Sequence, residues 1–193
     1  MVNLVSVDGQ HQGVYGFPGC PPGTLEFCDT LLELLEIAYL PGIQDRLVQA
    51  QYWHDPIQVD LHRRSSQYIG PINNEVREGA SHVEEYKTNL NKLENLGKLT
   101  TLATSFELDL CLVLCMGDRD VTVLPRETSH FGFFKYGTDD ELLPMDQTEV
   151  YVNDQLGLKQ MNEAGKIKFY THKGGHMNFS TEWFVQTCIP YLQ

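Results

Sequence analysis

Two residues in the second half of the chain have the side-chain types and flanking patterns that acid–base chemistry needs. His176 lies in the stretch KFYTHKGGHMNFSTEW, where an alternating apolar and polar run ends in a glycine turn and a helix-like segment follows. This pattern predicts an imidazole at the mouth of a sheet, where a hydrolase holds its general base. Asp120 follows a continuous apolar run in the pattern G-x-x-D-x-x-V-x-P, and Asp118 is a competing acid in the same turn. We interpret Asp120 and His176 as an acid–base pair.

The order of these two residues along the chain is that of a Ser–Asp–His triad. In open α/β sheets, reactive groups collect at the carboxyl ends of the strands, and α/β-hydrolases carry serine, acid and histidine in that order. The acid would fix the imidazole tautomer while the histidine accepts the serine proton. The chain contains no G-x-S-x-G; its nearest approach, GASHV at residues 79–83, lacks the second glycine and is typical of a helix cap. We therefore expect the nucleophile to be absent from this chain.

Metal and disulfide chemistry have weaker signals. His172 and His176 are four residues apart, which on a helix would suggest a metal pair, but two glycines intervene and the flanking residues are typical of strand and loop. We therefore expect no metal and no other cofactor. Cys20 and Cys28 bracket the loop CPPGTLEFC, and their spacing alone fits either a disulfide bond or two buried thiols.

The composition predicts one globular domain with an acidic surface. The chain has 193 residues, 41% of them hydrophobic, and 26 acidic against 14 basic residues give a net charge of −12. This charge repels phosphate backbones and excludes nucleic acid as the main partner. No apolar run is long enough for stable membrane insertion. The opening MVNLVSVDGQ has no signal-peptide pattern; it predicts a strand running into the turn Asp8-Gly9, which we interpret as the later part of a longer protein.

The remaining patterns alternate between strands and helices. The run LCLVLCM predicts a strand buried on both faces, in which Cys111 and Cys115 are core thiols. Together these elements indicate the second half of an α/β fold. The predicted helices are a capped helix from Thr30 that ends by Pro41, a second from Ile43 to Gln51, a third from Ser81 to Gly97, a fourth from Asp154 to Ala164 and a last one capped by Ser180 or Thr181. The predicted strands are Leu108–Met116, a short aromatic strand at Phe131–Phe134 and Lys166–Thr171, and residues 57–80 and TDDELLPMDQ are predicted loops.

Several long stretches resemble one known family, the palmitoyl-protein thioesterases, which are lysosomal α/β-hydrolases that remove fatty acyl groups from cysteines. The resemblance covers most of the chain, and its first two stretches are long and idiosyncratic. These stretches are GQHQG within NLVSVDGQHQGVYGFPGC, RLVQAQYWHDP, YKTNL, FGFF, DQLGLKQMNEAGK and EWFVQTCIPYL.

The resemblance implies a role for each candidate residue. Asp120 and His176 would be the triad aspartate and histidine, and Cys20 with Cys28 would form a family disulfide. The fold would be the C-terminal half of an α/β-hydrolase, a single partial domain over residues 1–193, in which 13–96 are a helical insert forming an acyl-chain groove and 108–193 are the half of the sheet with Asp120 and His176. The implied partners are S-acylated proteins and fatty acyl thioesters, in the lysosome or secretory pathway.

Two departures from the family are visible. Its first half, including the serine elbow, has no counterpart in these residues, and the segment 97–114 does not match the family pattern. The first departure leaves an alternative function, a non-catalytic pseudoenzyme that binds lipid or a partner.

Overall fold

A three-stranded parallel sheet forms the centre of the computed structural model, which describes residues 3–16, 35–76, 85–90 and 111–192. The strands are β1 (Leu4–Val7), β2 (Leu112–Gly117) and β5 (Ile167–His172), in the order β1-β2-β5. The central strand aligns Leu112 with both Leu4 and Ile167. A continuous apolar run suits this position because a parallel strand is covered on both faces. An α/β fold with a parallel sheet, as the sequence predicted, is therefore present.

Alternate residues of β2 pack into two different parts of the core. Leu112 and Leu114 belong to a cluster that includes Leu158, Met161 and Ile167. Val113 and Cys115 point to the other face, because successive side chains of a strand alternate, and they pack with Cys188. The predicted core thiols Cys111 and Cys115 are both buried.

The helices are shorter and more numerous than the patterns predicted. Two short helices lie within residues 57–80, so the prediction of a loop there was wrong. The sequence shows no helical period of apolar residues there, because the buried face of the first helix, Val59–Ser65, contains a histidine, His62, rather than an apolar residue. The helices are Pro41–Gln44, Val48–Gln51, Val59–Ser65, Ile69–Ile72, Glu149–Val152, Leu158–Glu163 and Thr181–Thr187; residues 85–90 are also helical, and 3₁₀ turns cover Leu35–Tyr39, Arg126–His130, Met145–Gln147 and Ile189–Tyr191.

A two-stranded hairpin lies beside the main sheet. It pairs β3 (Phe133–Phe134) with β4 (Leu142–Leu143) in antiparallel fashion. The aromatic strand was predicted, whereas its partner comes from a stretch predicted as an acidic loop. The last helix begins as predicted: Ser180 Oγ accepts a hydrogen bond from the Trp183 N–H at 3.1 Å, which satisfies one of the helix's unpaired amides.

Some predicted features lie outside the described residues. These include both cysteines of the predicted disulfide, Cys20 and Cys28, the beginning of the first predicted helix, both ends of the third and most of the segment 97–114. None of the helices in the described ranges has the length and hydropathy needed to cross a bilayer.

Candidate active site

The carboxyl ends of all three parallel strands meet at one edge of the sheet, and the candidate residues lie there. Asp8 directly follows β1, Asp120 lies in the turn after β2, and His176 lies in the turn after β5. Neighbouring parallel strands end at the same edge, so turns that are far apart in the sequence become adjacent.

The structure brings His176 and Asp120 into direct contact. The imidazole Nδ1 lies 2.8 Å from Asp120 Oδ2. The carboxylate is fully buried, whereas about a third of the His176 side chain (34%) is exposed. Asp120 Oδ1 accepts hydrogen bonds from the N–H groups of Thr122 (2.8 Å) and Val123 (3.1 Å), which prevent the carboxylate from rotating.

This contact fixes which nitrogen of the imidazole can act as a base. An ionised carboxylate only accepts hydrogen bonds, so His176 Nδ1 must carry the proton and Nε2 retains its lone pair. A partly exposed imidazole oriented by a buried acid is the arrangement that removes a proton from a hydroxyl nucleophile. Among the described residues, no serine or cysteine is hydrogen-bonded to His176.

The competing acid, Asp118, supports the turn rather than the imidazole. Its Oδ1 accepts a hydrogen bond from the Gly174 N–H at 2.9 Å, and this bond lowers the pKa of the Asp118 carboxyl. Gly174 has a φ of 159°, and a Cβ there would lie 2.0 Å from the Asn178 carbonyl oxygen. Only glycine therefore fits at this position of the turn that carries His176. Asp118 binds that turn, whereas the hydrogen-bond partner of the His176 ring is Asp120.

Sequence patterns missed a third acid, Asp8, which holds the strand ends together. Asp8 Oδ1 accepts from the Gly117 N–H and Oδ2 from the Met177 N–H, each at 2.7 Å. Both oxygens lie 3.0–3.1 Å from Nε2 of the buried His172. Asp8 thereby connects β1 to β2, to β5 and to the residue next to His176. In the sequence, the pair Asp8-Gly9 indicates only a turn, because the hydrogen-bond partners of Asp8 become its neighbours only in the folded sheet.

Ligand-type atoms of Asp8, Asp120 and His176 lie within 4.8 Å of one another. Each carboxylate already has donors: Asp8 accepts from two backbone amides and His172, and Asp120 accepts from two amides and His176. The cluster is therefore explained by hydrogen bonds without an ion. The rings of His172 and His176 bind different aspartates, Asp8 and Asp120.

Replacing Asp8 by alanine should lower the free energy of unfolding by about 3–5 kcal/mol, because buried His172 and two amides lose their acceptor. The measurement is chemical denaturation of the natural protein that contains this chain. Asp118→Ala is the matched control: it removes an exposed aspartate from the neighbouring turn and should destabilise the protein much less than Asp8→Ala does. Equal losses in the two variants would contradict a specific role for Asp8 in the sheet edge.

A large apolar cavity of about 890 Å³ has His176 in its wall. Its volume lies in the range of small-molecule binding sites. His11 also lines it; burial, with a smaller contribution from His130, lowers the pKa of His11 to about 4, so this ring is neutral at neutral pH. The cavity thus combines a mostly apolar lining with a few polar side chains, among them His11 and His176. Its apolar lining includes Ile37, Leu47, Val48, Trp53, Ile69 and Ile72.

Comparison with known proteins gives a consistent result. A family model described as "Palmitoyl protein thioesterase" matches residues 1–176. The chain is 40% identical over 190 residues to palmitoyl-protein thioesterase 1 of Caenorhabditis elegans, covering 98% of this chain and 57% of that protein. It is 30% identical to palmitoyl-protein thioesterase 3 of Dictyostelium discoideum, in a match that covers 99% of this chain and 60% of that protein. It is also 30% identical to lysosomal thioesterase PPT2 of Bos taurus, in a match that covers 82% of this chain and 46% of that protein. The chain thus spans well under two thirds of the length of these relatives.

Proposed function

Because this chain belongs to the palmitoyl protein thioesterase family, we propose that the protein containing it hydrolyses thioesters between long-chain fatty acyl groups and protein cysteines. One observation carries the proposal: His176, which contacts Asp120 at 2.8 Å, lines a large apolar cavity. A base beside an apolar cavity suits a substrate with a reactive carbonyl and a long hydrocarbon tail. The proposed location is the lysosome or secretory pathway, because a relative carries the name lysosomal thioesterase.

The proposed reaction is acyl transfer in two steps. A serine hydroxyl attacks the thioester carbonyl while His176 Nε2 takes its proton, and the proton then passes to the leaving cysteine thiolate. Asp120 stabilises the imidazolium that forms between these events. In the second step His176 removes a proton from water, whose oxygen attacks the acyl-serine, and the imidazolium returns the proton to the serine oxygen as the fatty acid leaves. The chemistry requires no metal or cofactor.

The nucleophile in this proposal lies outside the 193 residues. No G-x-S-x-G occurs in the chain, and the matched region covers 57% of the C. elegans relative. The proposed architecture is accordingly an α/β-hydrolase in which residues 108–193 supply the acid and base, and residues 13–96 form the helical insert around the acyl-chain groove. The cavity supports this assignment, because Val14, Leu47 and Ile72 in its lining all belong to that range.

The cavity predicts a strong dependence of activity on acyl-chain length. Burial of each methylene contributes about 0.8 kcal/mol, so a long chain gains far more from an apolar cavity than a short one does. Leu47 is half exposed at the cavity wall, and its replacement should leave the core intact. Leu47→Asp puts a charge beside the acyl chain; we expect kcat/KM for a palmitoyl thioester to fall about tenfold or more, equivalent to losing the burial of roughly two methylenes.

The measurement is hydrolysis of a series from butyryl to palmitoyl thioesters by the natural protein that contains this chain. Leu142→Asp is the matched control, because Leu142 is similarly exposed and does not line the cavity. Butyryl hydrolysis should change by less than about twofold in both variants, since a short chain buries little there. Failure of the wild-type protein to hydrolyse any thioester in the series would refute the proposed function.

The same cavity supports a second function, in which an acyl chain is bound without hydrolysis. The observation that favours it is that no nucleophile contacts His176 in the described part of the chain. This non-catalytic alternative predicts saturable binding of a fluorescent fatty acid that Leu47→Asp weakens, with no turnover of any thioester. Turnover of a thioester by the natural protein would support hydrolysis, whereas fatty-acid binding without turnover would support the non-catalytic function.

A further inference from the structure

The proposed hydrolysis does not use one short pattern beside the site, the triplet Asn178-Phe179-Ser180. It matches N-x-S/T with a middle residue other than proline, which is the acceptor pattern for N-glycosylation. The pattern occurs once in the 193 residues. It lies between the turn that carries His176 and the last helix, Thr181–Thr187. A pattern of three residues is common by chance, so its surroundings in the fold determine whether it can hold a glycan.

The side-chain amide of Asn178, which would accept the sugar, is free. Asn178 is exposed, and its side chain has no hydrogen-bond partner among the described residues. Its backbone is held in place, because the Asn178 N–H donates to the Gly175 carbonyl at 3.0 Å. A glycan on this amide would therefore displace no hydrogen bond of the fold, and it would extend from a turn of defined shape.

The middle residue of the triplet anchors it to the body of the protein. The Phe179 ring packs against the rings of His172, Trp183 and Phe184. The backbone of Ser180 is extended, with φ −76° and ψ 149°. Successive side chains of an extended segment point in opposite directions. The inward packing of Phe179 thus agrees with the exposure of both Asn178 and Ser180.

A glycan at Asn178 would attach beside the apolar cavity rather than within it. Among the described residues that line the cavity, His176 is included, whereas Asn178 is not. Met177, which separates the two, has a left-handed backbone with φ 53° and also lies outside the lining. The acceptor is therefore close to His176 in the sequence but does not belong to the wall that would hold an acyl chain.

We propose that Asn178 carries an N-linked oligosaccharide in the natural protein that contains this chain. This inference rests on the lysosomal or secretory location proposed above, because the donor, an oligosaccharide on a polyprenyl diphosphate, is found in that pathway. Asn178 Nδ2 bonds to the anomeric carbon of the oligosaccharide, and the bond from that carbon to the diphosphate breaks. The polyprenyl diphosphate leaves, and the amide loses one proton. The product is a bulky, solubilising group at the surface.

The test is peptide mass spectrometry of the natural protein, produced in a eukaryotic secretory host. Trypsin cleaves after Lys173 and gives a peptide that begins at Gly174 and contains Asn178. Release of the glycan by a peptide N-glycosidase in H₂¹⁸O should convert Asn178 to aspartate, with a gain of about 3 Da. We expect this gain in more than about half of the peptide in wild-type protein. Asn178→Gln should abolish it.

Two further variants are controls. Asn153→Gln removes an exposed asparagine that is followed by Asp154 and Gln155, so it is not an acceptor, and its glycan content should equal that of the wild type. Ser180→Thr keeps the hydroxyl that both the acceptor pattern and the cap on the Trp183 N–H require, so it should keep the glycan. Asn178→Gln should change kcat for a palmitoyl thioester by less than about twofold, since Asn178 lies outside the cavity lining.

Two results would overturn the proposal. One is a peptide from Gly174 that is entirely unmodified in wild-type protein. The other is a mass gain of the same size without glycosidase, because spontaneous deamidation would then explain it. Both are independent of catalysis: an unmodified Asn178 in a protein that hydrolyses thioesters refutes only the glycan. A glycosylated Asn178 in a protein without turnover refutes only the hydrolysis.

Discussion

Replacement of His176 by alanine in the natural protein that contains this chain is expected to lower kcat for a palmitoyl thioester by about 10⁶-fold, the loss found when a serine hydrolase loses its histidine. Without the imidazole, no group is held in position to take the serine proton or to protonate the leaving thiolate. About a third of the side chain is exposed, so alanine there should fold normally. The measurement is single-turnover and steady-state hydrolysis of a palmitoyl thioester.

His130→Gln is a suitable control for this variant. His130 lies 3.0 Å from the Tyr170 carbonyl and belongs to neither turn that carries the acid–base pair. Its replacement should change kcat by less than about threefold. The 193-residue chain expressed alone should give the same background as His176→Ala. Retention of more than about 1% of wild-type activity by His176→Ala would show that another group is the base.

Asp120→Asn should lower kcat by about 10⁴-fold while leaving the turn intact. The amide oxygen can still accept from the Thr122 and Val123 N–H groups that now hold Oδ1. An amide nitrogen facing His176 Nδ1 donates instead of accepting, so it favours the tautomer whose Nε2 carries the proton and cannot act as a base. The measurement is kcat for palmitoyl and butyryl thioesters, which should fall equally because the defect lies in proton transfer.

Asp118→Asn is the matched control for Asp120→Asn. Its amide oxygen can still accept from the Gly174 N–H, so kcat should change by less than about threefold. A larger loss from Asp118→Asn than from Asp120→Asn would make Asp118 the working acid, against the contact of 2.8 Å between Asp120 and His176. Asp120→Asn should lower kcat equally for short and long acyl chains, whereas Leu47→Asp should lower activity only for long acyl chains, so the two effects can be distinguished.

The position of His176 depends on a residue that makes no hydrogen bond with it, Asp8. Asp8 binds the Met177 N–H next to it and pairs with His172 at the end of β5. The loop that carries the base is therefore fastened to two strands, and its position follows from the sheet rather than from the loop itself. Such support is what an acid–base pair requires, since small displacements of a catalytic group are costly.

The sequence by itself determined the three strands of the parallel sheet and the neighbourhood of Asp120 and His176. LCLVLCM is apolar throughout because β2 is covered on both faces, and the alternation before His172 marks β5, so their periods predict them directly. Asp120 and His176 each follow such a strand, and the carboxyl ends of parallel strands share an edge, so their proximity could be predicted without coordinates. The structure supplied the contact distance of 2.8 Å and the choice of Asp120 over Asp118. These features depend on local pattern and on one general rule of sheet topology.

Tertiary structure alone decided the rest. The helix Val59–Ser65 buries a histidine, so no apolar period marked it. Two groups of polar residues meet only in the folded chain: Asp8 with His172, and Glu75 with His54 and His62. In the sequence, each of these residues taken singly is an ordinary polar residue in a turn or loop. Hydrogen bonds and ion pairs require atoms within a few ångströms of one another. That proximity is set by how the elements pack, which the types and spacing of residues do not encode one position at a time.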